Sequence, residues 1–238
     1  MRIIRFTKKS VINDSYSYFP KGKKTEKNGM KIIAIRHAQA DMHWEKRYSS
    51  EGFDEACREY DRCHILPDKE NKVFTDDRSV YISSLPRTKE TAKLLFGDRD
   101  VTVTPLLDEV PLRSFKDTEK TYPLFVWNIA GRFQWFCGNG RQKETRRQTK
   151  ERAARLISML MKQGDDCILI SHGWFLQVLV RELRRAGFEV KRGSLLRIAP
   201  LERIAFTEKE PHCGNCMHNC LLSNPGCNIG KEKALKKT

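Results

Sequence analysis

The sequence predicts an α/β chain: a three-layer α/β/α sandwich with a mainly parallel sheet, followed by a small Cys-rich knuckle at the C-terminal end. Three observations predict it. Short β-rich apolar runs alternate with stretches of 3.6-residue apolar period between residues 31 and 186. The helical stretches carry recognisable starts and stops. Four cysteines also crowd into residues 213–227, a segment too short to bury a core of its own.

Residues 1–29 are polar, without periodicity, and rich in Lys, Gly and Ser, which reads as a flexible basic arm. Met30 stands directly before the apolar run 32–35 and is an alternative initiator to Met1. Strands are expected over 31–35, 79–83, 101–104 and 167–170. Phe53, Ala56, Cys57 and Tyr60 fall at i, i+3, i+4 and i+7, as do Ala153, Leu156, Ile157 and Leu160, so each set marks a helix. A shorter helix over 88–96 is preceded by Pro86 and closed by Gly97. Another, over 174–186, follows the last strand. Strands alternating with helices form a mainly parallel sheet covered on both faces, with ligands bound beyond the carboxyl ends of the strands. The expected organisation is therefore an arm over 1–29, a folded unit over 30–206 and a knuckle with a basic tail over 207–238.

With 238 residues, 39 % apolar and 32 % charged, the chain can bury a core. Its longest nearly apolar stretches, 168–170 and 174–180, are far shorter than the roughly 20 residues of a membrane span. No apolar signal-like stretch follows the basic start, so a cytoplasmic protein without a membrane partner is expected. The net charge of +15 is uneven. Residues 1–29 carry +6 and residues 207–238 carry +2, leaving +7 on the 177 residues between them. Such a field steers an anionic small substrate toward the fold. It also supports weak nucleic-acid binding through the basic tail, which is not the expected use.

The strand ends decide the chemistry. Arg36 and His37 follow the first strand, and Ser84, Leu85, Pro86 and Arg87 follow the second. Leu107, Asp108 and Glu109 lie beyond the third; Ser171, His172 and Gly173 follow the fourth. Two histidines, two arginines and a carboxylate would thus meet on one rim. Guanidinium forks match phosphoryl oxygens, an imidazole accepts a phosphoryl group, and a carboxylic acid protonates a leaving alkoxide. The set reads as phosphoryl transfer.

These motifs resemble the histidine phosphatase superfamily, also called the phosphoglycerate mutase-like family. The resemblance rests on Ile33-Ala34-Ile35-Arg36-His37-Ala38, Tyr48-Ser49-Ser50-Glu51-Gly52, Ser83-Ser84-Leu85-Pro86-Arg87-Thr88-Lys89-Glu90-Thr91-Ala92, Leu107-Asp108-Glu109 and Ser171-His172-Gly173, and covers about residues 30–206. It implies His37 as the nucleophile that becomes a phosphohistidine, with Arg36, Arg87 and His172 holding the phosphoryl oxygens. It further implies Glu109 as proton donor and acceptor, with Asp108 one position away as the fallback, and no cofactor for catalysis. Ala38 stands where many members have Gly. The segment 39–44 does not resemble the longer signature of the cofactor-dependent mutases. A phosphomonoester phosphatase acting on a small phosphorylated substrate is therefore preferred. The alternatives are mutase-type phosphotransfer, or a nucleic-acid- or protein-binding module on an idle phosphatase core.

Two further segments stand out. Tyr122, Phe125, Trp127, Phe133, Trp135 and Phe136 form an aromatic insertion. They either line the mouth of the site or, more commonly for such residues, pack in the core. Arg113, Lys116, Arg132 and Arg141 nearby read as solvated surface. At the C-terminal end, Cys213, Cys216, Cys220 and Cys227 have the spacing C-x2-C-x3-C-x6-C and read as a metal knuckle. Four thiolates around a structural Zn²⁺ are expected, with an iron–sulfur cluster as the alternative. His212 and His218 read as bystanders.

Overall fold

A computed structural model of the protein describes residues 29–67, 75–190 and 198–209. Nearly all of the basic arm lies outside these residues. So do the tail from 210 onward, Cys213, Cys216, Cys220 and Cys227, and with them the proposed knuckle and its metal.

The four expected strands form, as β1 (Lys31–Arg36), β3 (Ser79–Ile82), β4 (Thr102–Val103) and β6 (Cys167–Ser171). Four others lie outside the expected set: β2 (Arg47–Tyr48), β5 (Tyr122–Pro123), β7 (Phe188–Val190) and β8 (Arg203–Glu208). The six-stranded sheet runs β4-β3-β6-β1-β8-β7, and β2 pairs with β5 in a separate ribbon. β1, β3, β4 and β6 are mutually parallel, whereas β8 is antiparallel to both β1 and β7. The sheet is therefore mixed but mainly parallel, as expected: five of its six strands run the same way and β8 alone is opposed. The antiparallel wing joins the six-residue β8 to the three-residue β7. In β8 only Ile204 and Phe206 are buried, with Ala205 between them and polar residues on either side, a weak signal beside the buried run of β6.

The helices are α1 (Ser50–Arg62), α2 (Pro86–Phe96), α3 (Leu124–Cys137), α4 (Arg146–Gln163) and α5 (Gly173–Arg185). Their starts have local causes. Ser49 accepts the Gly52 amide, Pro86 opens α2, and Thr145 with Gln148 forms a reciprocal capping box on α4. Gly97, Gly138 and Gly164 end three helices at positive φ, where a side chain would be strained.

Alternate residues of the strands face opposite layers. Ile32, Ala34, Cys167 and Leu169 pack with α4 and α5 through Leu156, Leu160, Leu176 and Leu179. On the other face Ile35, Val80, Ile82, Ile168 and Ile170 pack with Ala92 and Leu95 of α2. A fully buried Leu contributes about 1.5–3 kcal/mol, so these two seams hold the central strands rigid. Their register carries the functional consequence. Arg36 pairs with Ser171 and Ile82 with Ile170, so three neighbouring parallel strands end flush at one edge.

Candidate active site

That flush edge brings His37 and His172 together, with ring centroids 4.9 Å apart and planes tilted by 56°. The His37 amide donates to the Ser171 carbonyl at 2.9 Å, tying the end of β1 to the end of β6. The His37 ring is buried, and its Nδ1 lies 2.6 Å from the Ala38 carbonyl oxygen. A carbonyl only accepts, so Nδ1 carries the proton and Nε2 keeps its lone pair. Nε2 is buried with no hydrogen-bond partner among the described residues. A nitrogen base with a free lone pair is thus aimed into a site where the described residues offer it no partner.

His172 is the N-cap of α5 and is fully buried. Its Nε2 lies 2.7 Å from the Ser83 hydroxyl, which also accepts from the Leu85 amide. A Ser83 hydroxyl donating to Nε2 puts the ring proton on Nδ1, an atom with no partner among the described residues. His172 then faces the site as a donor while His37 faces it as a base.

Both imidazoles are held neutral. The pKa of His37 is pushed down from 6.5 to about 3, by burial first and then by the Arg87 charge. The Ala38 carbonyl opposes this, and Arg36 adds to it. That of His172 is pushed well below 6.5, by burial and then by His37, Arg87 and Arg36. The effect on stability has a definite sign. The unfolded chain gains these protons below pH 6.5 and the fold does not. The contribution of the two rings is therefore complete above 6.5 and is lost as pH falls, down to about 3 for His37. Urea unfolding at a series of pH values just below 6 should show stability falling by about 1.4 kcal/mol per pH unit for each ring. His37→Ala should make the slope shallower by one such increment.

Two guanidinium groups flank the rings. Arg36 donates Nη1 to the Ile198 carbonyl at 2.6 Å, leaving a buried Nε without a partner. Gly173 permits that packing, because a Cβ there would stand 3.2 Å from the Arg36 Cζ and Nε. Arg87 is fully buried in the first turn of α2, which starts two residues before the expected position 88 and so carries it inside the helix. Its plane lies over the Tyr60 ring at 4.1 Å, and Nη1 reaches the Cys63 thiol at 3.4 Å. Nε and Nη2 are buried and unpartnered. Tyr60 and Cys63 thus seat the cation without neutralising it, since neither is an anion. Thr91 joins the two halves of the site: its hydroxyl donates to the Arg87 carbonyl and accepts the Ala38 amide at 2.9 Å.

The carboxylates have different settings. Glu109 accepts the Phe175 amide at 2.9 Å and the Trp174 amide at 3.2 Å, so it caps the first turn of α5. It also accepts the Val110 amide at 2.9 Å. Ser171 donates its hydroxyl to the Leu107 carbonyl at 2.6 Å, fixing the turn that carries Glu109 against β6. Asp108 is occupied elsewhere: it accepts the Ser84 amide and hydroxyl at 2.7 and 2.6 Å and braces the loop after β3. Asp61, in the last turn of α1, belongs to no motif legible in the sequence. Burial pushes its carboxyl up, opposed by Arg87 and reinforced by Glu109. Asp61, Asp108 and Glu109 line one cleft of about 290 Å³, with the Glu144–Arg152 ion pair at its side.

The basic residues of the insertion are all engaged. Arg113 pairs with Asp54, Lys116 with the Tyr122 hydroxyl, and Arg141 with Asp117. Arg132 departs from the solvated reading. It is partly buried, donates to the Val110 carbonyl at 3.1 Å and lies over the Trp174 ring at 4.6 Å. The aromatic insertion divides rather than matching either expectation as a whole. Trp127 and Trp135 are buried, whereas Phe125, Phe133 and Phe136 are exposed. Trp127 stacks on Phe53 at 5.4 Å and donates to the Tyr48 carbonyl, tying α3 to α1.

Among solved structures, the chain is similar to a candidate α-ribazole-5′-P phosphatase from Escherichia coli. The identity is 16 %, with 77 % of this chain and 92 % of that one covered and a TM-score of 0.49. A phosphoserine phosphatase mutant from Entamoeba histolytica, solved with phosphoserine, gives 16 % identity, coverage of 74 % and 89 %, and a TM-score of 0.47. A mycobacterial glucosyl-3-phosphoglycerate phosphatase gives 15 %, 74 % and 89 %, and 0.44. No curated protein matches the chain. The family model "Histidine phosphatase superfamily (branch 1)" matches residues 69–215, a span that includes Arg87, Glu109 and His172 and begins after Arg36 and His37. That match covers more than half of the sequence, and the chain therefore belongs to the histidine phosphatase superfamily, branch 1, as a histidine-dependent phosphatase.

Proposed function

We propose that the protein is a phosphomonoester phosphatase that works through a phosphohistidine at His37. One observation carries the reading: the buried, unpartnered Nε2 lone pair of His37, with unsatisfied guanidinium donors of Arg36 and Arg87 beside it. Buried donors left without a partner each cost about 1–3 kcal/mol, so a ligand that satisfies several at once is bound strongly. A tetrahedral phosphoryl dianion meets that need in charge and in number of acceptors.

The reaction then runs in two displacements. The Nε2 lone pair attacks phosphorus in line, an N–P bond forms, and the P–O ester bond breaks with its electron pair leaving on the substrate oxygen. Glu109 supplies the proton that this oxygen takes. Water attacks the phosphohistidine next, giving its proton to Glu109, and the N–P electron pair returns to Nε2. Throughout, Arg36, Arg87 and the Nδ1–H of His172 hold the equatorial oxygens. Positioned charge of this kind does most of the work in phosphoryl transfer. The Nδ1–H bond to Ala38 fixes the tautomer that makes Nε2 nucleophilic.

Rapid acid-free quenching during turnover of an aryl phosphate, followed by peptide mass spectrometry, should find the added phosphoryl group on the peptide containing His37. A phosphorylated peptide elsewhere, or none under conditions of steady turnover, would end the proposal. The proton donor is tested by leaving-group dependence. Glu109→Gln should slow alkyl phosphates by roughly 10²–10³-fold and nitrophenyl phosphate far less, because nitrophenolate leaves without a proton. Asp61 lines the same cleft with a raised pKa, so Asp61→Asn is the control. If that variant shows the leaving-group signature and Glu109→Gln does not, the donor is Asp61.

A further inference from the structure

Helix α3 has two unlike faces. Trp127, Gly131 and Trp135 are buried, while Phe125, Ile129, Phe133 and Phe136 are 63, 66, 65 and 56 % exposed. Their spacing of four, four and three residues sets them in one stripe along a helix about 21 Å long. The one charged residue of α3, Arg132, turns away to the Val110 carbonyl and the Trp174 ring. The stripe therefore carries no charge of its own, and Arg146 reaches it only at its Phe136 end. Its four side chains expose on the order of 450 Å², at the upper end of what a monomer leaves uncovered.

We propose that this stripe is the contact of a reversible homodimer, in which α3 packs antiparallel against α3 of a second copy across a two-fold axis. The stripe is its own complement. Phe125 and Phe136 lie nearly equidistant from the helix midpoint near Gly131, and so do Ile129 and Phe133. Rotation about an axis through that midpoint sets Phe125 on Phe136 of the partner subunit and Ile129 on Phe133 of the partner subunit, each contact made twice. Gly131 itself lies on the opposite, buried face, so both helices present their bulky stripe at the contact. The pair buries on the order of 900 Å², which is close to the lower limit of a specific interface and fits a weak, concentration-dependent dimer. The chain's net charge of +15 makes two copies repel, and Arg146, over the Phe136 ring at 4.3 Å, adds to this at the rim. Added salt screens that repulsion and strengthens apolar association, the opposite of its effect on an acidic protein partner or an anionic lipid surface.

Sedimentation velocity of the full chain should show monomers at low concentration and dimers approaching about 100 µM, with the dimer fraction rising as salt increases. Ile129→Glu and Phe133→Lys should each weaken association by roughly 100-fold or more, because each buries an unpaired charge, while leaving aryl phosphate hydrolysis unchanged. An equimolar mixture of the two variants should regain a mixed dimer, since the carboxylate introduced in one copy then meets the ammonium introduced in the other. Wild type that stays monomeric at high concentration and high salt overturns the proposal, as does a dimer indifferent to both substitutions. A mixture that fails to associate overturns the antiparallel register. Salt-sensitive binding of a monomer to anionic vesicles, lost in Ile129→Glu, would assign the stripe to a lipid surface instead.

Discussion

His37→Ala is expected to lower kcat/KM toward an aryl phosphate on the order of 10⁴-fold or more, and to remove the phosphorylated peptide altogether. The magnitude reflects the loss of the attacking atom. Without Nε2 the first displacement has no nucleophile, and water would have to reach phosphorus in line from a space shaped for an imidazole. On the proposed mechanism the remaining guanidinium groups would still bind the dianion, so inorganic phosphate should protect the variant and the wild type alike from thermal unfolding. Loss of turnover with retained phosphate protection separates the nucleophile from the binding cradle. A variant that keeps even a tenth of the wild-type rate would show that phosphorus is attacked by something else.

Arg87→Met should have opposite effects on activity and on stability. On the proposed mechanism activity should fall by roughly 10³-fold, because the buried, unpartnered Nε and Nη2 would donate to the transferring group where charge is greatest. The ligand-free fold should become more stable by about 1–2 kcal/mol, which raises the melting temperature by a few degrees. The reason is that Arg87 is fully buried and among the described residues no carboxylate pairs with it. Its contacts are a ring face and a thiol. Methionine would fill much of the same space beside Tyr60 and remove a buried charge that no carboxylate among the described residues pairs with directly. If the variant loses stability instead, the buried cation does not destabilise the fold, and Arg87 is a structural residue.

Both predictions concern residues that are legible without coordinates, and the reason is topological. In an alternating α/β chain, the residues just past each strand meet at the carboxyl edge of the sheet. His37, Arg87 and His172 can be placed together without knowing the strand order. The flush register of β1, β3 and β6 then sets the two imidazoles side by side. Structure made by long-range partners is not legible in the same way. Asp61 and Tyr60 sit in the last turn of α1 with no motif about them, and only the packing of α1 against the first turn of α2 gives them a role. β7 has only three residues, and in the six-residue β8 the apolar alternation is diluted by polar residues. Their place is set by long-range pairing, β8 against β1 and β7 against β8. In α3 the aromatic content is evident, but which rings turn inward depends on where Phe53 and Thr149 stand to receive Trp127 and Trp135.

Glu109 also links two processes that are usually kept apart. Its oxygens close off the leading amides of α5, the helix whose cap residue is His172. Should Glu109 carry a proton during turnover, as proposed, that helix end would lose part of its anionic seal, and the seat of the second imidazole would slacken with it. Substitutions there therefore trade durability against speed together, and a lineage seeking a faster acid at this position would first need another way to stopper the helix.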